Sequence, residues 1–160
     1  MELARSTTLN ATLDQAWEVL GHQFTTIYHW ASAVNHAEGH GNGQQQAPCD
    51  ERSCSTTMGQ LREKLVTFDP INYRLSYTAF EGLPFLFREG TNHWSLTDLG
   101  NGNIKVQSHV VFVWRSPLFR LMQPLLKIKM SQFVNVLLDD FKHYVETGRP
   151  HARKLQLQQA

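Results

Sequence analysis

The sequence predicts an α+β fold in which one long C-terminal helix lies on one face of a strongly bent antiparallel sheet. Most of residues 3–114 falls into short segments of alternating apolar and polar side chains bounded by turn residues, which is typical of strands. Between Pro117 and Gly148 the apolar residues recur instead every three or four positions, as on one face of a helix. A helix with one apolar face must pack on another layer, and the preceding strands provide it.

The N-terminal segment is predicted to contain a strand at residues 3–9, followed by two short helices. Thr12 and Gln15 have the spacing of a capping box, in which each side chain satisfies a free backbone amide at the start of a helix. Apolar residues follow directly, and Gly21 marks the end of this helix. A second helical segment is predicted at residues 24–30.

Further strands are predicted downstream, where period-two patterns alternate with turn residues. They cover residues 32–40, 52–57, 60–68, 73–80, 87–97 and 104–114. Pro70 suits the second position of a turn at residues 69–72, and a Gly-rich turn at residues 99–102 closes another hairpin. Residues 39–49, rich in Gly and Gln, are predicted to form a long loop.

The long helix is predicted at residues 124–147, because Pro124 suits the first helical position and Gly148 the position after the last turn. Its apolar stripe consists of Met122, Leu126, Met130, Phe133, Leu137, Phe141 and Tyr144. The stripe fits either a plain core face or the wall of a cavity, and residues 117–123 form a candidate gate segment. We expect residues 1–150 to form a single domain and residues 151–160 to be a polar, disordered tail.

Composition and charge exclude several classes of protein. Of the 160 residues, 41% are hydrophobic and 18% are charged, which is typical of a globular domain. The formal net charge of +1 gives no electrostatic argument for binding nucleic acid or an anionic membrane. The sequence has neither an apolar run long enough to span a membrane nor the apolar core of a secretory signal at its start. We therefore expect a cytoplasmic protein whose Cys49 and Cys54 stay reduced.

Two charged residues are candidates for the interior. Alternation in the strand at residues 60–68 places Glu63 on the same face as Leu65 and on the face opposite to Phe68. If the Leu65 face points inward, the Glu63 carboxylate needs a partner or a raised pKa. Arg52, in the preceding strand, is the candidate partner. The two residues fit either a polar anchor or acid/base group for a ligand, or a buried structural ion pair.

Two further positions are candidates for polar contacts with a ligand. Tyr77 shares the inner face of its strand with Leu75 and Ala79, and its hydroxyl suits either a ligand carbonyl or a neighbouring side chain. His93 and Trp94 are adjacent in one strand, so only one of them points inward. The sequence does not decide between these two.

The histidines and cysteines form no convincing metal motif. His36 and His40 give an H-x3-H pair, and Cys49 and Cys54 give a C-x4-C pair. This cysteine spacing is wider than that of tight zinc sites and lies in the Gly- and Gln-rich region. The glycine motifs of nucleotide-binding proteins and of hydrolases are absent from the sequence. We therefore expect no metal and no cofactor.

The order of these elements, together with several short segments, resembles the SRPBCC superfamily. This superfamily includes START domains, the major birch pollen allergen, and polyketide cyclase/dehydrase and lipid-transport proteins. The likeness extends over residues 3–150. The segments that carry it are Ala16-Trp17-Glu18-Val19-Leu20, Trp30, Arg52, Leu61-Arg62-Glu63-Lys64-Leu65 with Asp69-Pro70, Arg74-Leu75-Ser76-Tyr77, and Glu146-Thr147-Gly148.

The resemblance implies a helix-grip fold, in which a curved antiparallel sheet of about six to seven strands wraps around the C-terminal helix and leaves an apolar cavity between them. The candidate cavity residues are Trp30, Arg52, Glu63, Leu65, Tyr77, His93, Phe112, Met130, Phe133 and Leu137. Relative to this pattern residues 39–49 are a longer insert, which fits either a reshaped cavity entrance or an inert surface loop.

In function, the resemblance implies binding of a small hydrophobic or amphipathic molecule, such as a lipid, a quinone or a polyketide, by a monomer or homodimer. A polyketide cyclase or aromatase is the first alternative. It would use the same cavity, with Glu63, Tyr77 and His93 as acid/base candidates and no catalytic residue assigned. The second alternative is a co-chaperone-like interaction module, which would expose an apolar patch around residues 85–87 or 118–119.

Overall fold

Seven antiparallel strands form one sheet in the computed structural model, which describes residues 1–44 and 46–158. The strands are β1 Glu2–Asn10, β2 Val34–His40, β3 Glu51–Thr56, β4 Gly59–Asp69, β5 Arg74–Glu81, β6 Phe87–Gly100 and β7 Asn103–Trp114. Their spatial order is β1-β7-β6-β5-β4-β3-β2, so β2 to β7 form a continuous meander and β1 pairs with β7. A long C-terminal helix and short helices after β1 complete the fold, and the predicted helix-grip architecture is confirmed.

The helices lie after β1 and after β7. The first group is α1 Leu13–Trp17, a π-helical turn Glu18–His22 and a 3₁₀ helix Phe24–His29; the second is a 3₁₀ helix Pro117–Met122, α2 Gln123–Thr147 and α3 Ala152–Gln158. Thr12 caps α1, since its hydroxyl accepts from the Gln15 amide while the Gln15 side chain accepts from the Thr12 amide. The predicted capping box is confirmed.

Helices cover both edge strands of the sheet. The first 3₁₀ helix packs against β2, and α2 packs across β1. Two charged side chains of α2 also bind free backbone groups at the outer edge of β1. Lys142 Nζ donates to the Thr8 carbonyl at 2.7 Å, and Glu146 Oε1 accepts from the Asn10 amide at 2.8 Å. The backbone of this edge therefore finds partners within the chain.

A bulge in β4 changes which side chains reach the core. The register of β4 against β5 shifts between Leu65 and Thr67, which leaves Val66 without a partner of its own. The extra residue reverses the alternation, so Phe68 is buried and Val66 is exposed. The prediction that Phe68 lies opposite to the inner face is wrong, because strict alternation takes no account of a bulge.

The burial of α2 is uneven along its length. Towards its C-terminus Phe141 is fully buried and packs against the Trp30 ring, with 5.3 Å between the ring centroids. At its start Met122 and Leu125 are exposed, although the apolar stripe begins there. The spacing of apolar residues predicts the helix correctly, but it does not show which turns pack against the core and which are exposed to solvent. Gly148 ends α2 in the left-handed conformation, with φ of 68°, as its predicted position after the last turn requires.

Residues Ala152–Gln158 form a short helix where the sequence predicts a disordered tail, and residues 159–160 lie outside the described residues. Arg153 Nε donates to Asp140 Oδ1 at 2.6 Å, and Asp140 Oδ2 accepts from the Ser32 amide at 2.8 Å. Lys154 is buried and donates to the Val34 carbonyl on the edge strand β2. The polar composition of this segment does not indicate that it packs on the domain, because the partner of Lys154 lies 120 residues away in the sequence.

The loop between β2 and β3 is not wholly a surface feature. Ala47 and Cys49 are buried within it. Gly39 lies so close to this loop that a Cβ atom there would be 3.0 Å from the Cβ of Cys49. Gln45 lies outside the described residues. Part of the long insert therefore belongs to the packed interior.

Arg153→Gln is expected to lower the free energy of unfolding by about 1–3 kcal/mol, because it removes a charged donor from the buried Asp140 carboxylate. Urea denaturation measures the change. Arg149→Gln is the control, since Arg149 is exposed, and its effect is expected to stay within about 0.5 kcal/mol. Equal losses in the two variants would contradict a docking role for α3.

Candidate ligand-binding cavity

An apolar cavity of about 320 Å³ lies between α2 and the inner face of strands β3 to β7. Hydrocarbon side chains form most of its wall: Ile27, Val34, Met58, Leu61, Ala79, Leu83, Pro84, Val110, Phe112, Met130, Phe133, Val134 and Leu137. Polar side chains interrupt the wall at six positions: Arg52, Cys54, Thr56, Glu63, Tyr77 and Asn92. Small-molecule sites typically occupy about 300–1,000 Å³ and combine an apolar lining with a few polar groups, as this cavity does.

Seven of the ten predicted cavity residues line this space, namely Arg52, Glu63, Tyr77, Phe112, Met130, Phe133 and Leu137. They come from β3, β4, β5, β7 and α2, and the alternation of each strand turns them inward. Their part in ligand binding stays a prediction. The insert at residues 39–49 contributes none of the described lining residues.

The other three predicted residues do not line the cavity. Trp30 is buried beside a separate space of about 10 Å³, which is room for about one water molecule. Leu65 is half-buried next to the β4 bulge and packs against the core outside the cavity. His93 is exposed on the outer face and bonds Ser76 Oγ at 2.8 Å, because Trp94 takes the inward position.

A buried ion pair between Arg52 and Glu63 is the main polar feature of the wall. The two residues lie opposite each other in the paired strands β3 and β4. Arg52 is only 2% exposed, and its Nε and Nη2 both donate to Glu63 Oε2, at 2.9 and 2.5 Å. Its Nη1 donates to the Phe24 carbonyl at 2.5 Å, and its guanidinium lies 3.8 Å from the centroid of the Phe24 ring. The two opposite charges cancel, so the counter-charge of Arg52 comes from the protein and not from a ligand.

The Glu63 carboxylate uses only one of its oxygens in these contacts. Oε2 accepts both hydrogen bonds from Arg52 and a weaker one from Cys54 Sγ at 3.6 Å. Oε1 accepts no hydrogen bond from the part of the chain that the structure describes, while the side chain lines the cavity. Since each carboxylate oxygen can accept about two hydrogen bonds, Oε1 is an acceptor for a bound molecule.

A hydrogen-bond network fixes the Tyr77 hydroxyl. Its oxygen accepts from Asn92 Nδ2 at 3.2 Å and from Trp94 Nε1 at 3.4 Å, and Ser108 Oγ donates to Asn92 Oδ1 at 2.8 Å. Because the hydroxyl oxygen accepts twice, its own proton is left to donate. Sequence reasoning misses Asn92. The signal for it is the inward position of Trp94 two residues later, which the sequence leaves undecided.

Burial shifts the pKa values of the groups around the ion pair. It raises the pKa of the Cys54 thiol from its usual 9.0 to about 12 and that of Tyr77 from 10.0 to about 12, and the charge of Glu63 adds to both shifts. Burial by itself would lower the pKa of Arg52, but Glu63 more than compensates and the pKa is raised. At neutral pH Arg52 is therefore a cation, while Cys54 stays a thiol and Tyr77 a phenol.

Metal ligands do not cluster in the part of the chain that is described, where no three His, Cys, Asp or Glu side chains are arranged to hold an ion. His40 bonds Ser53 Oγ at 2.9 Å instead. Over those same residues, no helix has the length and apolar character needed to cross a membrane.

A bent antiparallel sheet, a long helix across its inner face and a ligand-sized cavity between them define a helix-grip protein. The chain belongs to the polyketide cyclase/dehydrase and lipid transport family, whose model matches residues 1–146. This confirms the resemblance to the SRPBCC superfamily. No curated protein matches the chain significantly.

Solved structures share the fold at low sequence identity. A START superfamily protein from Mycobacterium smegmatis has a TM-score of 0.75 at 10% identity, over 91% of this chain and 97% of that chain. A protein from Thermus thermophilus has a TM-score of 0.71 at 16% identity, over 91% and 97%. The di-domain ARO/CYC BexL from the BE-7585A biosynthetic pathway has a TM-score of 0.75 at 13% identity, over 91% of this chain and 46% of that chain. At such identities the likeness shows the fold alone.

Glu63→Gln is expected to lower the free energy of unfolding by about 3–5 kcal/mol, because it keeps the shape of the side chain but leaves Arg52 buried without a counter-charge. Urea denaturation measures the loss. The control is Glu51→Gln, which breaks an exposed pair with Arg62 on the same two strands and is expected to cost at most about 1 kcal/mol. A similar, small loss in both variants would show that Arg52 does not depend on Glu63.

The free energy of unfolding is also expected to fall as the pH rises from about 9 towards about 12. In this window the unfolded chain releases the protons of Cys54 and Tyr77 while the folded chain retains them, so rising pH favours unfolding. Cys54→Ser/Tyr77→Phe removes both groups, and its stability is expected to decline less. Urea denaturation at about pH 8 and about pH 11 compares the two proteins. Identical declines would contradict the retained protons.

Proposed function

We propose that this protein binds a small, neutral, amphipathic molecule in the cavity, with a ligand hydroxyl bound to Glu63. The observation that carries the proposal is an apolar cavity of about 320 Å³ lined by Glu63, whose Oε1 accepts no hydrogen bond from the described chain. A ligand hydroxyl supplies the donor, and the hydrocarbon part of the ligand covers the apolar wall. Membership of a family that includes lipid-transport proteins supports this function.

Burial of hydrocarbon supplies most of the favourable free energy of binding. Each Å² of apolar surface removed from water contributes about 25 cal/mol before the costs of association. Phe112 on the sheet and Phe133 on α2 provide rigid aromatic surface on the two walls. Met130 lies beside Phe133 on α2, and its flexible side chain suits ligands of irregular shape.

The ion pair selects against anionic ligands. Arg52 is already neutralised by Glu63, so a ligand carboxylate finds no free cation in the wall. It would instead bring a second negative charge next to the Glu63 carboxylate, which is unfavourable in a buried site. Alcohols and phenols are therefore better ligands than fatty acids of the same size.

A polyketide cyclase activity in the same cavity is the second candidate, and the family description supports it. Such chemistry needs an acid and a base within hydrogen-bond reach of the substrate. The outward position of His93 removes one of the three residues considered for this role. Tyr77, with its pKa raised to about 12, is suited to donating a hydrogen bond rather than to acting as a base. The remaining groups favour binding over catalysis.

Decanol is expected to raise the melting temperature in a thermal-shift titration, and decanoate is expected to raise it less. Leu137→Trp fills the cavity and is expected to abolish the decanol shift. The matched control is Val136→Trp, which adds the same bulk at the neighbouring, outward-facing position and is expected to retain the shift. An undiminished shift in Leu137→Trp would contradict binding in this cavity.

A second variant tests Glu63 without leaving a buried charge. Arg52→Met/Glu63→Leu replaces the pair by apolar side chains of similar size, a change that typically preserves stability. It is expected to weaken decanol binding by about tenfold, since a hydrogen bond to a charged group is lost. Unchanged affinity for decanol in this folded variant would refute the role of Glu63 while leaving the cavity itself in place.

A further inference from the structure

An exposed apolar stripe runs along the segment that leads into α2. Its members are spaced three or four residues apart and are largely exposed: Leu118 (75%), Leu121 (85%), Leu125 (57%) and Ile128 (59%). Leu125 and Ile128 face away from the cavity, because Met130 of the same helix lines it and Leu126 packs against the core. Single exposed leucines are ordinary, but a contiguous group of this size marks an interaction surface.

The charged side chains of the segment that carries the exposed stripe are all positive. Residues 115–138 contain no Asp or Glu and four basic side chains, Arg115, Arg120, Lys127 and Lys129. Successive residues of a helix are about 100° apart, so Lys127 and Lys129 lie on either side of Ile128. The net charge of +1 for the whole chain conceals this local excess. The net charge therefore gives no argument for binding to an anionic surface. The clustering of basic side chains in this one segment does give such an argument.

A shallow groove beside the exposed stripe adds another cation. The groove has a volume of about 360 Å³, and its lining includes Arg5 of β1 together with Lys127, Ile128 and Ser131 of α2. Arg5 Nη2 donates to Ser131 Oγ at 2.9 Å, which holds the guanidinium next to the helix. Two cations and a hydroxyl in one groove suit a phosphate-bearing headgroup.

The exposed stripe also adjoins one end of the cavity. Phe85, in the loop before β6, is exposed, and its ring packs edge-on against Phe119, with 5.6 Å between the centroids. Leu83 and Pro84, directly before Phe85, line the cavity. Exposed apolar surface and cavity wall are therefore contiguous at this loop.

We propose that the exposed stripe and its cations dock the protein on the surface of an anionic lipid membrane. Leucine side chains enter the interfacial layer, and the basic side chains pair with the headgroups. A second copy of the chain fits less well, because a two-fold interface would oppose the patch to itself and set like charges against each other. Nucleic acid would leave the leucines in water. The docking is independent of what the cavity holds.

Sedimentation with lipid vesicles tests the proposal. The protein is expected to bind vesicles of phosphatidylcholine containing about a third phosphatidylserine, and to bind phosphatidylcholine alone far more weakly. Lys127→Gln/Lys129→Gln is expected to reduce the partition coefficient about 25-fold, or about fivefold per cation. Lys64→Gln/Lys105→Gln removes two exposed lysines of the sheet as the control, and no reduction is expected.

Leu121→Gln tests the apolar part, with an expected reduction of about tenfold. Ile71→Gln is its control, because Ile71 is equally exposed (85%) but lies in the turn between β4 and β5. Equal binding to both kinds of vesicle, or binding to neither, would overturn the proposal. So would a dimer in solution that Leu121→Gln converts to a monomer, since the patch would then belong to a second copy. Leu137→Trp, with its cavity filled, is expected to dock like the unmodified protein.

Discussion

A guanidinium with almost no contact with water needs a counter-charge. In this domain the contacts that satisfy Arg52 hold together the elements on one side of the cavity. Its hydrogen bonds connect β3 to Glu63 on β4 and to the Phe24 carbonyl of the first 3₁₀ helix. An ion pair at this depth holds only if its geometry is satisfied throughout, because the desolvation of both charges must be offset. The result is a mostly apolar cavity wall in which the two charged side chains neutralise each other, and the proposed preference for hydrogen-bond donors rests on this pair.

The apolar residues of α2 recur at one spacing along the helix but lie in three different environments. At Phe141 it belongs to a packed aromatic core, where Trp30 and Trp94 lie within 5.8 Å between ring centroids. At Phe133 the same face borders open space, where the protein gives up dispersion contacts that a filled core would have. At Leu125 and Ile128 the apolar side chains are exposed to solvent.

The sequence predicts features that are encoded by neighbouring residues. The capping box at Thr12, the left-handed Gly148 and the shared face of Glu63 and the apolar residues of its strand all follow from local spacing or from strand alternation. The bulge at Val66 and the choice of Trp94 over His93 for the interior do not, since both depend on how adjacent strands pair. The docking of α3 through Lys154 is likewise invisible in the sequence, because its partner lies on a distant strand.

The charged contacts along the edges of the sheet have a consequence for self-association. A sheet that opens locally exposes strand edges that template intermolecular β-pairing. Here Lys142 and Glu146 occupy edge groups of β1, and Lys154 occupies one of β2. A neighbouring chain would have to displace these side chains before it could add a strand. The edge contacts therefore act as a barrier to cross-β aggregation.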